Sequence, residues 1–148
     1  HQGIDSTLLI LLSGSKVKVE VIKYYDEHIS EIECFPGKLN QVFSNILSNG
    51  FQAMESNSDD RPPAMIITTK SMTEHVSISF QDNGPGIPAK TIEKIFEPFF
   101  TTKEVGEGTG LGLSIVFSII ESHKGKIEVN SDPPNGTEFL ITLPKSME

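Results

Sequence analysis

The feature that most limits the fold of this chain is a run of glycines that leads directly into an apolar segment. Glycine stands at every second position from 106 to 112, and residues 113–120 are mostly apolar. Backbone N–H groups without side chains can approach a polyanion, and a helix N-terminus attracts negative charge. The spacing matches neither G-x-x-x-x-G-K-[ST] nor a strand-led G-x-G-x-x-G, which disfavours two common nucleotide-binding folds. Taken alone, the run is equally compatible with a flexible linker.

Composition narrows the choice of ligand. A chain of 148 residues with 36% hydrophobic residues fits one domain with a real core. Its formal net charge of −8, from 12 Lys and Arg against 20 Asp and Glu, argues against nucleic-acid binding and direct membrane contact. No run of 18 apolar residues is present. We therefore expect a soluble, cytoplasmic domain, whose parent protein can still be membrane-anchored.

Hydrophobic periodicity predicts the fold class. Apolar residues recur at three- and four-residue intervals from 39 to 51, which indicates a helix with one buried face. A second helix is expected after position 111, and a short one near position 96. Segments that alternate polar and apolar residues, as strands do, are 16–24, its expected hairpin partner 31–34, 64–71, 75–81, 126–130 and 137–142. This order predicts a two-layer α/β sandwich, with a mixed, mostly antiparallel sheet covered on one face by about three helices.

Two groups of polar residues stand out beside these elements. Asn45 and Asn49 are one helical turn apart, so they share a face, and amide oxygens suit Mg²⁺. A solvated helix face is the alternative. Asp82 directly follows a strand, where its carboxylate can accept a hydrogen bond from an exocyclic amine, and Gly84 and Gly86 would let a flat ring approach. A plain turn is the alternative here.

Together, the motifs resemble the ATP-binding catalytic domain of two-component sensor histidine kinases, within the group shared with the gyrase, Hsp90 and MutL ATPases. The matching motifs are the N box 45–49, the first glycine box 82–88, the F box 95–103, the second glycine box 106–113 and the pair 136–137. The resemblance implies a Bergerat-type fold that binds Mg-ATP. It also implies that the γ-phosphate passes to a histidine on a separate dimerisation domain, and then to a response regulator receiver domain.

The resemblance suggests a division of the chain and a set of partners. Residues 1–15 would be a linker from a dimerisation and phosphoacceptor domain, and residues 16–148 would be the ATP-binding domain. The expected ligands are ATP, ADP and Mg²⁺, with the isolated domain monomeric and the parent homodimeric. His1 is not expected to be the acceptor, because the acidic residue and proline that surround the family's phosphorylated histidine do not follow it.

The resemblance also implies roles for individual residues. Asp82 would bind the adenine amino group, Gly84 and Gly86 would shape the ring pocket, and Thr137 would close it. Asn49 would be the Mg²⁺ ligand. The residues implied to support phosphoryl transfer are Asn45, Asn49, Lys94 and Lys103. The remaining implied nucleotide contacts are Ile87, Phe99, Thr101, Thr102, Gly108, Thr109, Gly110, Leu111, Gly112 and Leu113. For the phenylalanines of the F box, a stripe of core aromatics is the alternative.

Other proteins on the same fold provide the rival functions. A gyrase- or Hsp90-like ATPase needs a general base one turn before Asn49, and Asn45 is an amide that cannot accept a proton usefully. A serine-kinase anti-sigma factor usually lacks the run at 96–103, and a degenerate adaptor would have lost Asp82, Asn49 or the glycines. Four positions depart from the family pattern, among them Gln52 and Ala53, which lack the Lys and Tyr found there in some members. Gly50 replaces a common alanine and Lys124 a frequent glycine, the latter with no expected consequence for the site.

Overall fold

The computed structural model describes residues 1–14, 19–28, 34–55, 62–87, 112–131 and 136–145. The elements within these ranges are α1 (Gln2–Gly14), β1 (Glu20–Tyr24), α2 (Pro36–Glu55), β2 (Ala64–Ser71), β3 (His75–Asp82), α3 (Gly112–Ser122), β4 (Lys126–Ser131) and β5 (Thr137–Pro144). The long helix, the helix after position 111 and the last four strands confirm the sequence-based assignments. The short helix expected near position 96 lies outside the described residues.

The five strands form one sheet in the order β1-β2-β3-β5-β4. Strand β1 runs parallel to β2, and the other neighbouring pairs are antiparallel. Every second side chain of β3 and β5 is buried, because successive side chains of a strand point to opposite faces. The helices pack on the buried face. The predicted mixed, mostly antiparallel α/β sandwich with three helices is therefore confirmed.

Strand β1 has a partner that its sequence pattern did not indicate. We expected a hairpin between 16–24 and 31–34, but residues 29–33 lie outside the described part of the chain, and Cys34 lies at a bend before α2. The hairpin therefore stays a prediction. Among the described residues, β1 pairs with β2, from Glu20 opposite Ala64 to Tyr24 opposite Thr68. The two strands are separated in sequence by the whole of α2, as a parallel pair requires.

Helix α2 is the centre of the core. Its buried side chains are Leu39, Val42, Phe43, Ile46, Leu47, Phe51 and Met54. Helix α1 packs against it with Ile4 and Leu8, and α3 contributes Val116, Ile119 and Ile120. Burial of one such side chain contributes about 1.5–3 kcal/mol. Tertiary packing, rather than intrinsic propensity, therefore holds together a helix that also contains two glycines and three asparagines.

Helix α1 is also tied to the sheet by a polar cluster at its first turn. Asp5 Oδ1 accepts hydrogen bonds from Lys23 Nζ at 2.8 Å and from the Tyr25 hydroxyl at 2.9 Å. The His1 ring stacks on Tyr25 with 4.3 Å between ring centroids, and its Nε2 lies 2.9 Å from Thr69 Oγ1. The expected linker segment 1–15 includes this helix, and its role as a linker stays a prediction. Among the described helices, none has the length and apolar character needed to span a membrane.

Candidate functional site

A row of four residues crosses the sheet at the end where β3 stops. The register places Asp82 between Met65 on β2 and Thr137 on β5, and Thr137 opposite Ser131 on β4. Met65, Asp82 and Thr137 are buried on the face that the helices cover, and Ser131 is half-buried. Buried polar side chains are the informative exception on an apolar face. The row therefore marks where the core ends and a candidate site begins.

The carboxyl group of Asp82 is held in a fixed orientation. Its Oδ1 accepts a hydrogen bond from the Gly84 N–H at 2.9 Å, and the backbone of Thr137 also hydrogen-bonds the carboxylate. Burial raises the pKa of Asp82 above its usual range, and these two hydrogen bonds partly oppose the shift. A carboxylate has more acceptor positions than two donors occupy. The group can therefore accept a further hydrogen bond from an amino group placed against it.

Helix α2 approaches this carboxylate closely because two glycines leave space between them. A Cβ added to Gly84 would lie 3.1 Å from Asp82 Oδ1 and 3.3 Å from the Cβ of Ala53. A Cβ added to Gly50 would lie 3.5 Å from Asp82 Oδ2 and only 2.6 Å from Met65 Cε. The end of the Met65 side chain thus occupies the place that an alanine side chain would need. Close packing explains why glycine is present at position 50.

The connections around Asp82 also depend on glycine. Gly86 has a φ of 83° and Gly136 a φ of 125°, both in the region that L side chains rarely adopt. A Cβ on Gly136 would collide with the carbonyl oxygen of Asp82. The neighbouring Asn83 fastens the loop to the start of β2, because its Oδ1 accepts from the Ala64 N–H at 3.0 Å. These contacts give the segment after β3 a defined path beside the carboxylate.

Ser131 is a site residue that sequence reasoning missed. Its Oγ accepts a hydrogen bond from the Ile87 N–H at 2.5 Å, and it lies 3.3 Å from both the Gly136 carbonyl oxygen and Thr137 Oγ1. The alternation of residues along β4 could have indicated Ser131, because it lies on the same, more buried face of the strand as Ile127 and Val129. A serine on the inward-facing side of a strand needs a hydrogen-bond partner for its hydroxyl group.

The two asparagines of α2 lie on a less buried side of the helix than its apolar stripe. Asn45 and Asn49 are half-buried, whereas Ile46 and Leu47 are buried. Asn49 directly precedes Gly50, at which an added Cβ would lie 3.5 Å from Asp82 Oδ2. Neutral amide oxygens suit Mg²⁺, which usually takes only one or two protein ligands and keeps waters and phosphate oxygens. The position and chemistry of Asn49 therefore fit a magnesium ion bound together with a phosphate-bearing ligand.

The structure brings together only part of the predicted site. Asp82, Gly84, Ile87 and Thr137 are connected through the contacts given above. At the other end of the predicted site, α3 begins at Gly112, and Leu113 packs half-buried against the core. The predicted site residues that lie outside the described part of the chain are Lys94, Phe99, Thr101, Thr102, Lys103, Gly108, Thr109, Gly110 and Leu111. Their roles stay predictions.

This architecture places the molecule in a known structural class. The catalytic domain of the histidine kinase ThkA, in a nucleotide-free form, superposes with a TM-score of 0.84 and 33% sequence identity, over 99% of this chain and 92% of that one. The class is therefore that of histidine kinase catalytic domains. Residues 36–147 match the family described as histidine kinase-, DNA gyrase B-, and HSP90-like ATPases, and the chain belongs to this family.

Sequence relatives point to the kinase branch of the family. Sporulation kinase E of Bacillus subtilis is 40% identical over 134 residues, which cover 90% of this chain and 17% of the relative. The signal transduction histidine-protein kinase AtoS of Escherichia coli is 38% identical over 140 residues, which cover 95% of this chain and 22% of the relative. The chain thus spans about a fifth of these kinases. It corresponds to the ATP-binding catalytic domain of a sensor histidine kinase, as the motifs predicted.

Proposed function

We propose that this chain binds Mg-ATP and presents the γ-phosphate to a histidine on a separate dimerisation domain, for onward transfer to the receiver domain of a response regulator. The observation that supports the proposal most is the buried Asp82 carboxyl group, oriented by the backbone of Gly84 and Thr137. Burying a carboxylate beside an apolar core is costly unless it is used or paired. A role in ligand recognition explains why it is retained.

Adenine recognition follows from the chemistry of this carboxylate. One oxygen of Asp82 accepts from Gly84, and the exocyclic amine of adenine donates to the carboxyl group from the ligand side. Guanine would present a carbonyl oxygen at the same place, so two acceptors would face each other. Gly84 and Gly86 leave room for the ring, and Thr137 closes the pocket from β5. The site therefore discriminates in favour of adenine.

Phosphate binding depends on the neighbouring part of α2 and on residues outside the described ranges. Asn49 would ligate Mg²⁺, with Asn45 one turn earlier beside the phosphates. When bound, the ion supplies positive charge between phosphate oxygens. Lys94 and Lys103 are proposed to add the local positive charge that a chain of net charge −8 otherwise lacks. Backbone N–H groups of the second glycine box would donate to the same phosphates.

The chemical step needs no nucleophile from this chain. A ring nitrogen of the acceptor histidine attacks the γ-phosphorus, the bond from that phosphorus to the bridging β–γ oxygen breaks, and ADP leaves. The contribution of this domain is to position the ATP and to stabilise charge. Asn45 stands where a water-activating ATPase needs a carboxylate, so hydrolysis by this chain is expected to be slow.

Incubation with ATP labelled at the γ-phosphate tests the transfer reaction. The isolated chain should bind Mg-ATP yet incorporate little label, because the proposed acceptor lies on another domain. Addition of the parent protein's dimerisation domain should restore labelling of that domain. The Asn49→Ala variant, which lacks the proposed magnesium ligand, should lose most of this transfer. Strong self-labelling of the isolated chain would contradict the proposal.

A further inference from the structure

We propose that Ser131 is a positioning residue for adenine recognition, because its hydroxyl group sets the distance between the loop after β3 and the start of β5. This inference deepens the proposed function and rests on it. Ser131 is the last residue of β4, opposite Thr137 in the sheet. From there its side chain reaches both segments that flank Asp82.

The contacts of Ser131 join parts of the chain that the strand pairing does not join. The loop residue Ile87 donates its N–H to Ser131 Oγ at 2.5 Å, although 44 positions separate the two residues. On the other side, Gly136 O and Thr137 Oγ1 each lie 3.3 Å from the same oxygen. One hydroxyl group therefore links the first glycine box to the pair 136–137, beside Thr137, the neighbour of Asp82 in the sheet.

The hydrogen-bonding capacity of serine defines two arrangements. A hydroxyl group has one proton to donate and two positions at which it accepts. Ile87 occupies one of those positions. If the Ser131 proton goes to Gly136 O, the Thr137 hydroxyl can donate to Ser131. If the proton goes to Thr137 Oγ1, the Thr137 proton is released to donate to a ligand instead. The orientation of the Ser131 hydroxyl group therefore biases the Thr137 proton, either toward Ser131 or toward the base.

Loss of this hydroxyl group should affect the base pocket specifically. Without Oγ, the half-buried Ile87 N–H loses its acceptor, and leaving such a group unsatisfied is unfavourable. The loop after β3 would then shift or recruit water, so the ring pocket beside Asp82 would widen. The register of β4 and β5 depends on backbone hydrogen bonds and should be kept. The expected defect is therefore in binding of the base rather than in folding.

Calorimetric binding of ATP, adenosine and inorganic tripolyphosphate to the full chain tests the inference. Ser131→Ala should weaken ATP and adenosine binding about 5–30-fold, the scale of one lost hydrogen bond with an unsatisfied partner. Tripolyphosphate binding should change less than twofold. Ser131→Thr, which keeps the hydroxyl group and suits a strand, should restore most of the affinity. Hydrogen exchange of the Ile87 amide should accelerate in Ser131→Ala and stay slow in Ser131→Thr.

Ser79→Ala is the matched control, since it removes a hydroxyl group from the same sheet, where Ser79 Oγ donates to Glu138 Oε2 at 2.7 Å. It should leave all three affinities unchanged. Equal ATP affinity in wild type and Ser131→Ala would overturn the inference, as would an equal loss for adenosine and tripolyphosphate. If Ser131→Ala folds poorly, the ATP affinities of Ser131→Thr and Ser131→Val are compared instead, because valine has a similar shape without the hydroxyl group. Equal affinities of these two variants would also overturn the inference. Failure of the wild type to bind ATP would instead refute the proposed function.

Discussion

Single residues carry the proposed specificity of this site, and the first of them is Asp82, a carboxylic acid buried among the described residues. It faces the same side of the sheet as Phe80 and Ile78, where apolar side chains are stabilised and charges are not. Its identity as a candidate was predicted from a strand followed by glycines. The burial of Asp82 and its link to Ser131 were not predicted, because both depend on strand register, which local sequence does not specify.

The raised pKa of Asp82 predicts a pH dependence of folding without nucleotide. A carboxyl group whose folded pKa exceeds its unfolded pKa stabilises the fold fully below the unfolded pKa, and this contribution is lost as pH rises through the folded pKa. Asp82→Asn cannot titrate. We therefore expect the free energy of unfolding of Asp82→Asn to rise relative to wild type as the pH increases from below the ordinary Asp pKa through the raised pKa of the folded state. Urea titrations at several pH values measure this difference, and a constant difference would contradict the prediction.

At the scale of elements, periodicity predicted α2, α3 and four of the five strands closely, because each has one face against the core. It did not predict the pairing of β1 with β2, since a half-buried strand pattern carries no information about which strand lies beside it. The expected hairpin partner 31–34 lies almost wholly outside the described residues and stays a prediction. The pairing with β2 depends on α2 packing across the sheet and returning the chain in the parallel direction. Residues 88–111, which hold the F box and most of the second glycine box, could be judged from their motifs alone.

The end of α3 gives Lys124 a structural meaning that the sequence did not suggest. The N–H of Gly125 donates to Ile120 O and that of Lys124 to Glu121 O, both at 2.9 Å, the pattern of a Schellman motif. Lys124 occupies the left-handed position of that motif, with a φ of 58°. Glycine adopts this conformation without the steric penalty of a Cβ. The frequent glycine of the family at this position is thereby explained.

Lys124→Gly should therefore stabilise the domain by about 1 kcal/mol. Lys124→Ala is the matched control, because it removes the charge and the long side chain but keeps the Cβ. We expect it to give little or no gain. Urea unfolding midpoints compare the two variants with wild type, and ATP affinity should be unchanged in both. An equal gain for alanine and glycine would assign the effect to charge rather than to backbone conformation.

At the scale of the whole molecule, the proposed base site lies at one end of the sheet and the proposed phosphate site lies on the helix layer. The row proposed to bind the base lies across β2, β3, β5 and β4, and the proposed magnesium ligand Asn49 directly precedes Gly50 on α2. Helix α2 can pack closely against Asp82 and the loop after β3 because neither Gly50 nor Gly84 has a side chain. This packing contact between α2 and the loop would therefore set the relation between the two proposed parts of the site.

The central claim is that Asp82 reads adenine, and calorimetry of Mg-ATP binding to wild type and Asp82→Asn tests it most directly. Asparagine keeps the shape and the acceptor for Gly84 but replaces one oxygen by an amide donor. The account predicts a loss of at least about tenfold in affinity, the scale of a hydrogen bond to a charged group. Ser79→Ala should bind as wild type does. Undiminished ATP affinity in a folded Asp82→Asn would contradict the account.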